Sequence, residues 1–481
     1  MILLFIIIIP LIASLMSLLM KRSVKGLSYI VICTYSLELL AVFAAIILVI
    51  KRDTYTANAY FSIDALGAIL IMILAVVSTM ASWYSIGYIR SEVDKKVIRI
   101  SKAHQYFILL HLFIFAMFFA IITTSPILMW IAIEATTLST AFLVSFYSKP
   151  SAVEAAWKYL IINSIGVLLG FFGTLLFLYP TVHSGFKDLM SWQMLLSNAS
   201  AFDPFIAKVA FIFVLIGYGT KVGLVPMHSW LPDAHSKAPS PISSLLSGAL
   251  LNVAFFAILR FKSITDLAIS PLFSQKLLIF FGILSIVVAA FIVFVQKHYK
   301  RLLAYSSVEH MGIIALGFGF GGIGTFAALM HMIYHSLAKS ALFLLSGNVF
   351  IIYGSTKMAE VRGTIKTLPI TSVLLFIGFL AIIGVPPFGI FITEFTILLA
   401  GINAHPFVTI IAIFSLALVF AAIIKQVVLM IFGEPENNLQ RGEMNIWTLL
   451  PPIILTAILV ALSFFVPLSL QSLLQSATMK I

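Results

Sequence analysis

Little in this sequence is equipped to face water or to hold a cofactor. A single cysteine, Cys33, stands in an apolar stretch, which excludes a disulfide framework, an iron–sulfur site or a cysteine-ligated zinc built within the chain. Only 10% of the 481 residues are charged, with 17 acidic side chains against 29 basic ones, and no polar segment is long enough to make a soluble domain. With 62% hydrophobic residues the chain cannot clothe a water-soluble globule, so the bilayer is its solvent. A net charge of +12 would suggest nucleic acid for a soluble protein, but here the lysines and arginines sit in short loops between apolar runs, where topology accounts for them. Nothing resembles a nucleophile triad. The glycines from Gly317 to Gly322 match a dinucleotide spacing, yet they follow an apolar run with no strand, so helix packing or a turn explains them.

What is present is a succession of apolar runs, each able to cross a hydrocarbon core about 30 Å thick. They predict an all-α polytopic membrane protein of fourteen spans, at 2–20, 28–50, 62–87, 105–124, 126–147, 155–179, 205–225, 239–261, 272–296, 301–320, 324–353, 368–400, 406–432 and 446–472. The first run has no basic residue before it and is followed by Lys21, Arg22 and Lys25, so it reads as a retained span rather than a signal peptide. Loops after odd-numbered spans carry roughly twice the Lys and Arg of the even loops and termini, which predicts odd loops in the cytoplasm and both termini on the outer side of the inner membrane. Between His183 and Ala201, the residues Phe186, Leu189, Met190, Trp192 and Leu195 keep a helical rhythm that reads as an interfacial helix, with a plain loop as the rival.

Two spans are interrupted by weak helix formers and missing backbone donors: the seventh by Gly217, Gly219, Gly223 and Pro226, the twelfth by Gly384, Pro386, Pro387 and Gly389. Breaks at membrane depth survive only where the freed backbone groups are buried in protein or meet water. Ionisable residues recur near them. Glu134, Lys158, Lys221 and the polar Asn252 occupy spans five to eight; Glu309 with His310, then Lys339, Glu394 and Lys425, occupy spans ten to thirteen. The offsets from 134 to 309, 158 to 339, 221 to 394 and 252 to 425 are all about 175 residues, the mark of an internal repeat. Five spans per repeat is an odd number, so the copies enter the membrane from opposite sides. The implied organisation is 1–100 for the first three helices, 101–261 and 262–432 for the inverted repeats, and 433–481 for the last helix.

Each charge at mid-membrane costs roughly 2.5–3.5 kcal/mol, so the set reads as functional, although Lys158 and Lys425 are near enough to span ends to be merely snorkelling. If spans five and seven pack together, Glu134 can stabilise the Lys221 ammonium and govern when it holds a proton. His331, His335 and Lys339 follow at i, i+4 and i+8, stacking on one helix face over about 12 Å, a spacing suited to a proton relay. A metal is the rival for the histidine pair, but the sequence offers no third ligand nearby, and no metal or catalytic centre is expected. His111, alone in an apolar helix, reads as packing.

Long stretches resemble a known family. The run from Gly219 through Lys221, Pro226, His228, Trp230, Pro232, Asp233 and His235 to Pro239 is similar to the signature of antiporter-like subunits of respiratory complex I, Mrp-type cation/proton antiporters and membrane-bound hydrogenases. So are Leu302 to Gly312, His335 to Phe343, and Gly384 to Phe395. The resemblance implies fourteen helices with two inverted five-helix repeats and broken helices seven and twelve. It makes Glu134 the fifth-helix glutamate, Lys221 the broken-helix lysine, Lys339 or His335 the central relay and Glu394 the terminal position, with His228, His235, Asn252, Glu309 and His310 as further candidates along the axis. Asn252 stands where many relatives have a lysine; it cannot titrate, so the link between halves must run through Lys339, His331, His335 or water. Trp130 to Leu138 and Glu154 to Ser164 look most like the hydrogenase-4 component F group, of formate hydrogenlyase-type assemblies. That branch implies partner subunits carrying a nickel–iron centre and iron–sulfur clusters, a peripheral redox arm and other antiporter-like subunits, with no cofactor in this chain. A proton-translocating subunit is the leading reading. A Mrp-type antiporter subunit exchanging sodium, a complex I M- or N-type subunit, and a structural spacer without transport are the alternatives.

Overall fold

Span edges are set by a few local devices. Proline opens spans at Pro126, Pro204, Pro271 and Pro406, where its fixed φ suits the first turn and its missing N–H is no loss. Asp203 accepts from the backbone N–H groups of Phe205 and Ile206, both at 2.9 Å, capping span 7. Gly223, at φ +84°, ends that span in the left-handed conformation that glycine adopts without steric cost.

The computed structural model describes residues 1–20, 24–183, 191–435, 441–443 and 445–481, with side chains 180–183 left aside. Among these, 13 helices are long and apolar enough to cross a membrane: spans 1 to 6 at Ile2–Leu19, Val24–Arg52, Ala65–Asp94, Ile100–Ile122, Pro126–Val144 and Pro150–Tyr179, then span 7 (Pro204–Val222), span 8 (Ser240–Ala268), span 9 (Pro271–Phe294), span 10 (Tyr299–Phe320), span 11 (Ile323–Tyr353), span 13 (Pro406–Phe432) and span 14 (Ile446–Phe464). Span 12 crosses as two half-helices, Pro369–Ile382 and Gly389–Ile402, parted by the expected break. Fourteen crossings therefore agree with the sequence pattern.

Spans 8 and 10 are wholly buried, whereas spans 13 and 14 leave most of their residues outside the chain's own packing. Close approach relies on glycine. A Cβ on Gly217 would lie 2.2 Å from the Gly170 backbone nitrogen, so spans 6 and 7 pack backbone to backbone, and Gly282 meets Gly312 in the same way between spans 9 and 10. The two breaks share a left-handed glycine, Gly223 at φ +84° and Gly384 at φ +68°. Span 4 begins at the odd-loop face and span 9 at the even-loop face, which gives the two five-span sets opposite orientations.

Several features depart from the pattern. Val466 and Pro467 end span 14 early, and Leu468–Met479 forms a separate short helix where a longer span was expected. Between spans 2 and 3 the chain makes a hairpin, β1 (Thr54–Asn58) and β2 (Phe61–Asp64), with Asn58 Oδ1 accepting from the N–H groups of Tyr60 and Phe61. Of the interfacial segment, residues 184–190, including Phe186, Leu189 and Met190, lie outside the described residues. The remainder is the helix Trp192–Ser197, whose Trp192 and Leu195 are buried, with the Trp192 ring 5.1 Å from Phe261 of span 8. Residues 246–250 of span 8 form a π-helical turn just before Asn252. Both termini lie on the even-loop face: the Met1 ammonium is 3.3 Å from the Tyr55 hydroxyl, and Lys480 pairs with Asp53 at 2.6 Å.

On that face Asp64 closes the end of span 3 by accepting from Gly67 N–H at 2.9 Å, and takes both guanidinium nitrogens of Arg260, at 2.6 and 2.8 Å. Burial would push its carboxyl up, but the Arg260 charge and hydrogen bonds, with Gly67 N–H, outweigh this and hold it at about 2. Asp64→Asn keeps a capping oxygen and loses the ion pair, so it should destabilise the protein by about 2 kcal/mol. A lowered folded-state pKa gives stability that is full above about pH 4 and lost as pH falls towards about 2. Thermal unfolding of the detergent-solubilised protein across that window should show the dependence in wild type and a weaker one in D64N.

Candidate functional site

Around the two broken spans, buried ionisable groups gather into two clusters, one in each half, with a polar seam between them. In the first, Lys221 at the end of span 7 is fully buried and donates to the Thr137 hydroxyl at 2.7 Å and to the Tyr159 hydroxyl at 2.9 Å. Thr137 in turn donates to Glu134 Oε2 at 3.3 Å, and Ser164 donates to Glu134 Oε1 at 2.7 Å. Glu134 is half-buried, and no direct Glu134–Lys221 ion pair forms within 4.0 Å; one hydroxyl separates carboxylate from ammonium. Glu134 and Thr137 share a helix face because they are three residues apart.

In the second cluster Lys339 donates to the Leu303 carbonyl at 2.9 Å and to the Ser306 hydroxyl. Glu309, three residues beyond Ser306, is buried and interacts electrostatically with Lys339. His310 Nδ1 lies 2.9 Å from His331 Nε2, and His310 Nε2 donates to the Ile382 carbonyl at 3.0 Å at the break in span 12. His331 Nδ1 meets Thr393 Oγ1 at 2.8 Å, and Glu394 Oε1 comes within 4.0 Å of His310 Nδ1. His335 is buried with its ring 5.4 Å from His310, and its ring nitrogens have no hydrogen-bond partner among the described residues. Gly384 permits the approach of Glu394, since a Cβ there would lie 2.3 Å from Glu394 Oε2.

Between the clusters, Asn252 donates to Ser336 Oγ at 2.7 Å, on the span that carries His335 and Lys339, and Ser247 pairs with Ser307 at 2.8 Å. His235 is buried against Phe343, ring centroids 4.6 Å apart, and both its nitrogens lack partners among the described residues. His228, half-buried at the break after span 7, lies 6.1 Å from the Tyr305 ring. Unpartnered buried nitrogens and oxygens along this seam are places for water, which would complete the connections.

Two expected members fall elsewhere. Lys158 is half exposed and pairs with Glu154 at 2.7 Å and Asp233 at 3.5 Å near the odd-loop face. Lys425 is exposed on the outer side of span 13. Depth along a sequence does not say which helix face a residue takes, and these two lie on faces turned away from the clusters. The expectation that no third metal ligand lies near a histidine pair also needs correction: His310, His331 and Glu394 bring donor atoms within 4.8 Å of one another, a set that a divalent cation could use. The hydroxyls of Thr137, Ser164, Tyr159, Ser306 and Thr393 were missed; Thr137 and Ser306 stand three residues from Glu134 and Glu309, and the other three carry no signal of spacing.

Comparison with known proteins agrees with this architecture. Residues 123–421 match the family described as NADH:quinone oxidoreductase/Mrp antiporter, transmembrane. The hydrogenase-4 component F homolog of Methylacidiphilum infernorum (isolate V4) is 38% identical over 398 residues, covering 82% of this chain and 83% of that protein. Among solved structures, a chain of the membrane-bound sulfane sulfur reductase, an archaeal respiratory membrane complex, superposes with a TM-score of 0.87 at 23% identity, covering 100% of this chain and 97% of its own. A chain of the Mrp complex from Dietzia sp. DQ12-45-1b gives 0.85 at 19% identity, covering 100% and 96%. With a family match across both broken spans and both clusters, the chain belongs to the NADH:quinone oxidoreductase/Mrp antiporter transmembrane family, as an antiporter-like membrane subunit.

Proposed function

We propose that this subunit translocates protons within an energy-converting redox complex of the group 4 membrane-bound hydrogenase or formate hydrogenlyase type. The observation that carries the reading is the set of buried titratable groups through the middle of the fold, Lys221 on the hydroxyls of Thr137 and Tyr159, Lys339 on Ser306 beside Glu309, and His310 against His331 and His335, with water completing the gaps between them. Each costs roughly 2.5–3.5 kcal/mol to hold in the membrane, an expense a passive spacer has no reason to bear. Likeness to the hydrogenase-4 component F homolog supports the hydrogenase branch.

On this reading the chain lies in the inner membrane with odd loops in the cytoplasm, and it has no redox centre. A nickel–iron centre and iron–sulfur clusters would belong to a peripheral arm, with other antiporter-like subunits alongside. Movement or charging of a neighbour alters Glu134, Lys221 gives up or takes a proton, and the charge change passes along the seam to Lys339 and on to Glu394. The test is to purify the assembly from native membranes, identify its subunits, and measure turnover-linked proton flux in proteoliposomes. Hydrogenase subunits with sodium-independent proton flux are expected. Small Mrp-type subunits with sodium exchange, or a wild-type assembly that moves no ions, would refute it.

A further inference from the structure

Apart from these clusters, spans 2 and 3 and the first repeat's span 4 enclose a further set of buried polar groups. Glu38 sits midway along span 2, is 0% exposed, and has no hydrogen-bond partner for either carboxylate oxygen. Beside it the Tyr35 hydroxyl meets His111 Nδ1 at 2.8 Å, and the two rings stack at 5.6 Å. His111 is therefore more than packing. Ser82 and Tyr106 both interact with Tyr35. Span 3 lines this region with Ser78, Ser82, Ser85 and Glu92, spaced by four, three and seven residues along one face.

The groups continue to one surface. Ser85 bonds the Tyr106 hydroxyl at 2.8 Å, and Tyr106 is in electrostatic range of both Glu92 and Tyr35. Glu92 Oε1 accepts from Tyr147 at 2.5 Å, and Tyr147 meets Tyr88 at 2.9 Å. Tyr88 and Tyr147 line a cleft of about 380 Å³ on the odd-loop face, together with Lys149, Lys237 and Lys300. Beyond His111 span 4 continues towards the even-loop face as Phe113, Phe115, Phe118 and Phe119, with no ionisable side chain before its end. The file is open at one end and blind at the other. Tyr84, its ring stacked 5.8 Å from Tyr88, donates to Asn348 of span 11 at 2.9 Å and brings the file beside that span.

A buried carboxyl with no donor is tolerable only when a proton neutralises it or water reaches it. We propose that Glu38 is a third proton-loading site, filled from the odd-loop face along Tyr88, Tyr147, Glu92, Tyr106 and Tyr35. In the loading step hydronium at the cleft gives up a proton, the hydrogen-bonded groups exchange O–H protons in turn, water carries the proton across the stretches to Tyr106, Tyr35 and Glu38 where no hydrogen bond joins them, and one Glu38 oxygen gains the O–H bond. No redox change is involved. A blind site of this kind stores a proton for the main axis instead of opening a second path across the membrane.

The inference rests on the translocation reading, so two independent measurements are needed. Treating the intact assembly with dicyclohexylcarbodiimide, which adds to protonated carboxyls in apolar surroundings, followed by peptide mapping, should label Glu38, and sodium should not protect it. In proteoliposomes the isosteric Glu38→Gln should lower turnover-linked proton flux two- to fivefold, with Glu38→Asp restoring at least half of it and Glu92→Gln slowing it similarly. An unlabelled Glu38, labelling blocked by sodium, or an assembled E38Q complex moving protons at the wild-type rate would overturn the proposal. If the wild type moves no protons, the function proposed above fails, and the labelling still decides whether Glu38 binds a proton.

Discussion

Lys221→Ala should lower turnover-linked proton flux in proteoliposomes by about tenfold or more, the scale on which a single proton-transfer group contributes, while leaving the assembly intact. Lys221 reaches two neutral hydroxyls, Thr137 at 2.7 Å and Tyr159 at 2.9 Å, and its carboxylate partner is one hydroxyl away. The ammonium is held by groups that can keep it without a direct counter-ion, so its proton occupancy follows the charge on Glu134 through Thr137. Lys221→Arg separates proton exchange from simple positive charge. Arginine keeps the charge but cannot be deprotonated in a protein, so K221R should fail as completely as K221A. Glu134→Gln, which leaves the lysine in place and removes its distant charge, should cost less, about three- to tenfold. Wild-type flux from assembled K221A would show that the chain is a spacer.

The sequence displays the ionisable residues and hides the groups that connect them. Glu134, Lys221, Lys339 and Glu394 stand out because a charge in an apolar run is expensive, and their regular offset makes the inverted repeat legible before any packing is known. The same argument misplaces Lys158 and Lys425, since each is exposed on a helix whose other face is buried. Thr137, Ser306 and Thr393 are illegible for the opposite reason. A hydroxyl in a helix is inexpensive and is commonly satisfied by the carbonyl a turn earlier, as Thr393 is by Gly389 at 3.2 Å, so nothing in the chain marks it as a bridge. Glu38 is as conspicuous as Glu134, but it has no counterpart at the repeat offset, and only its buried, unpartnered oxygens bring it forward. The proximity of Glu394 to His310 depends on the break in span 12 and on the missing side chain of Gly384, neither of which spacing along a continuous helix can convey.

His331→Leu should be as damaging as loss of Lys221, because the histidine pair has two proton arrangements and both need this ring. The Ile382 carbonyl can only accept, so His310 carries its proton on Nε2. When the pair is neutral, His310 Nδ1 must accept from His331 Nε2, and His331 Nδ1 must then accept from the Thr393 hydroxyl. An added proton takes His331 Nδ1, and Thr393 turns its hydroxyl to the Ile390 carbonyl, 2.9 Å away, while the ionised Glu394, whose carboxylate lies with the donor atoms of His310 and His331 within 4.8 Å, balances the new charge. One hydroxyl rotation thus accompanies each proton gained or lost. Replacing His331 by leucine removes the switch and should reduce flux about tenfold or more. Thr393→Val deletes only the rotating hydroxyl, and about a threefold loss is expected. Glu394→Gln removes the balancing charge and should fall between the two. Gly384→Ala should mimic it, because the added carbon would lie 2.3 Å from Glu394 Oε2 in a backbone conformation, φ +68°, that alanine resists. Infrared difference spectra taken during turnover should contain a protonated-imidazole band that is absent from H331L and weakened in E394Q. A fully active H331L complex would mean that protons leave the second half by another route.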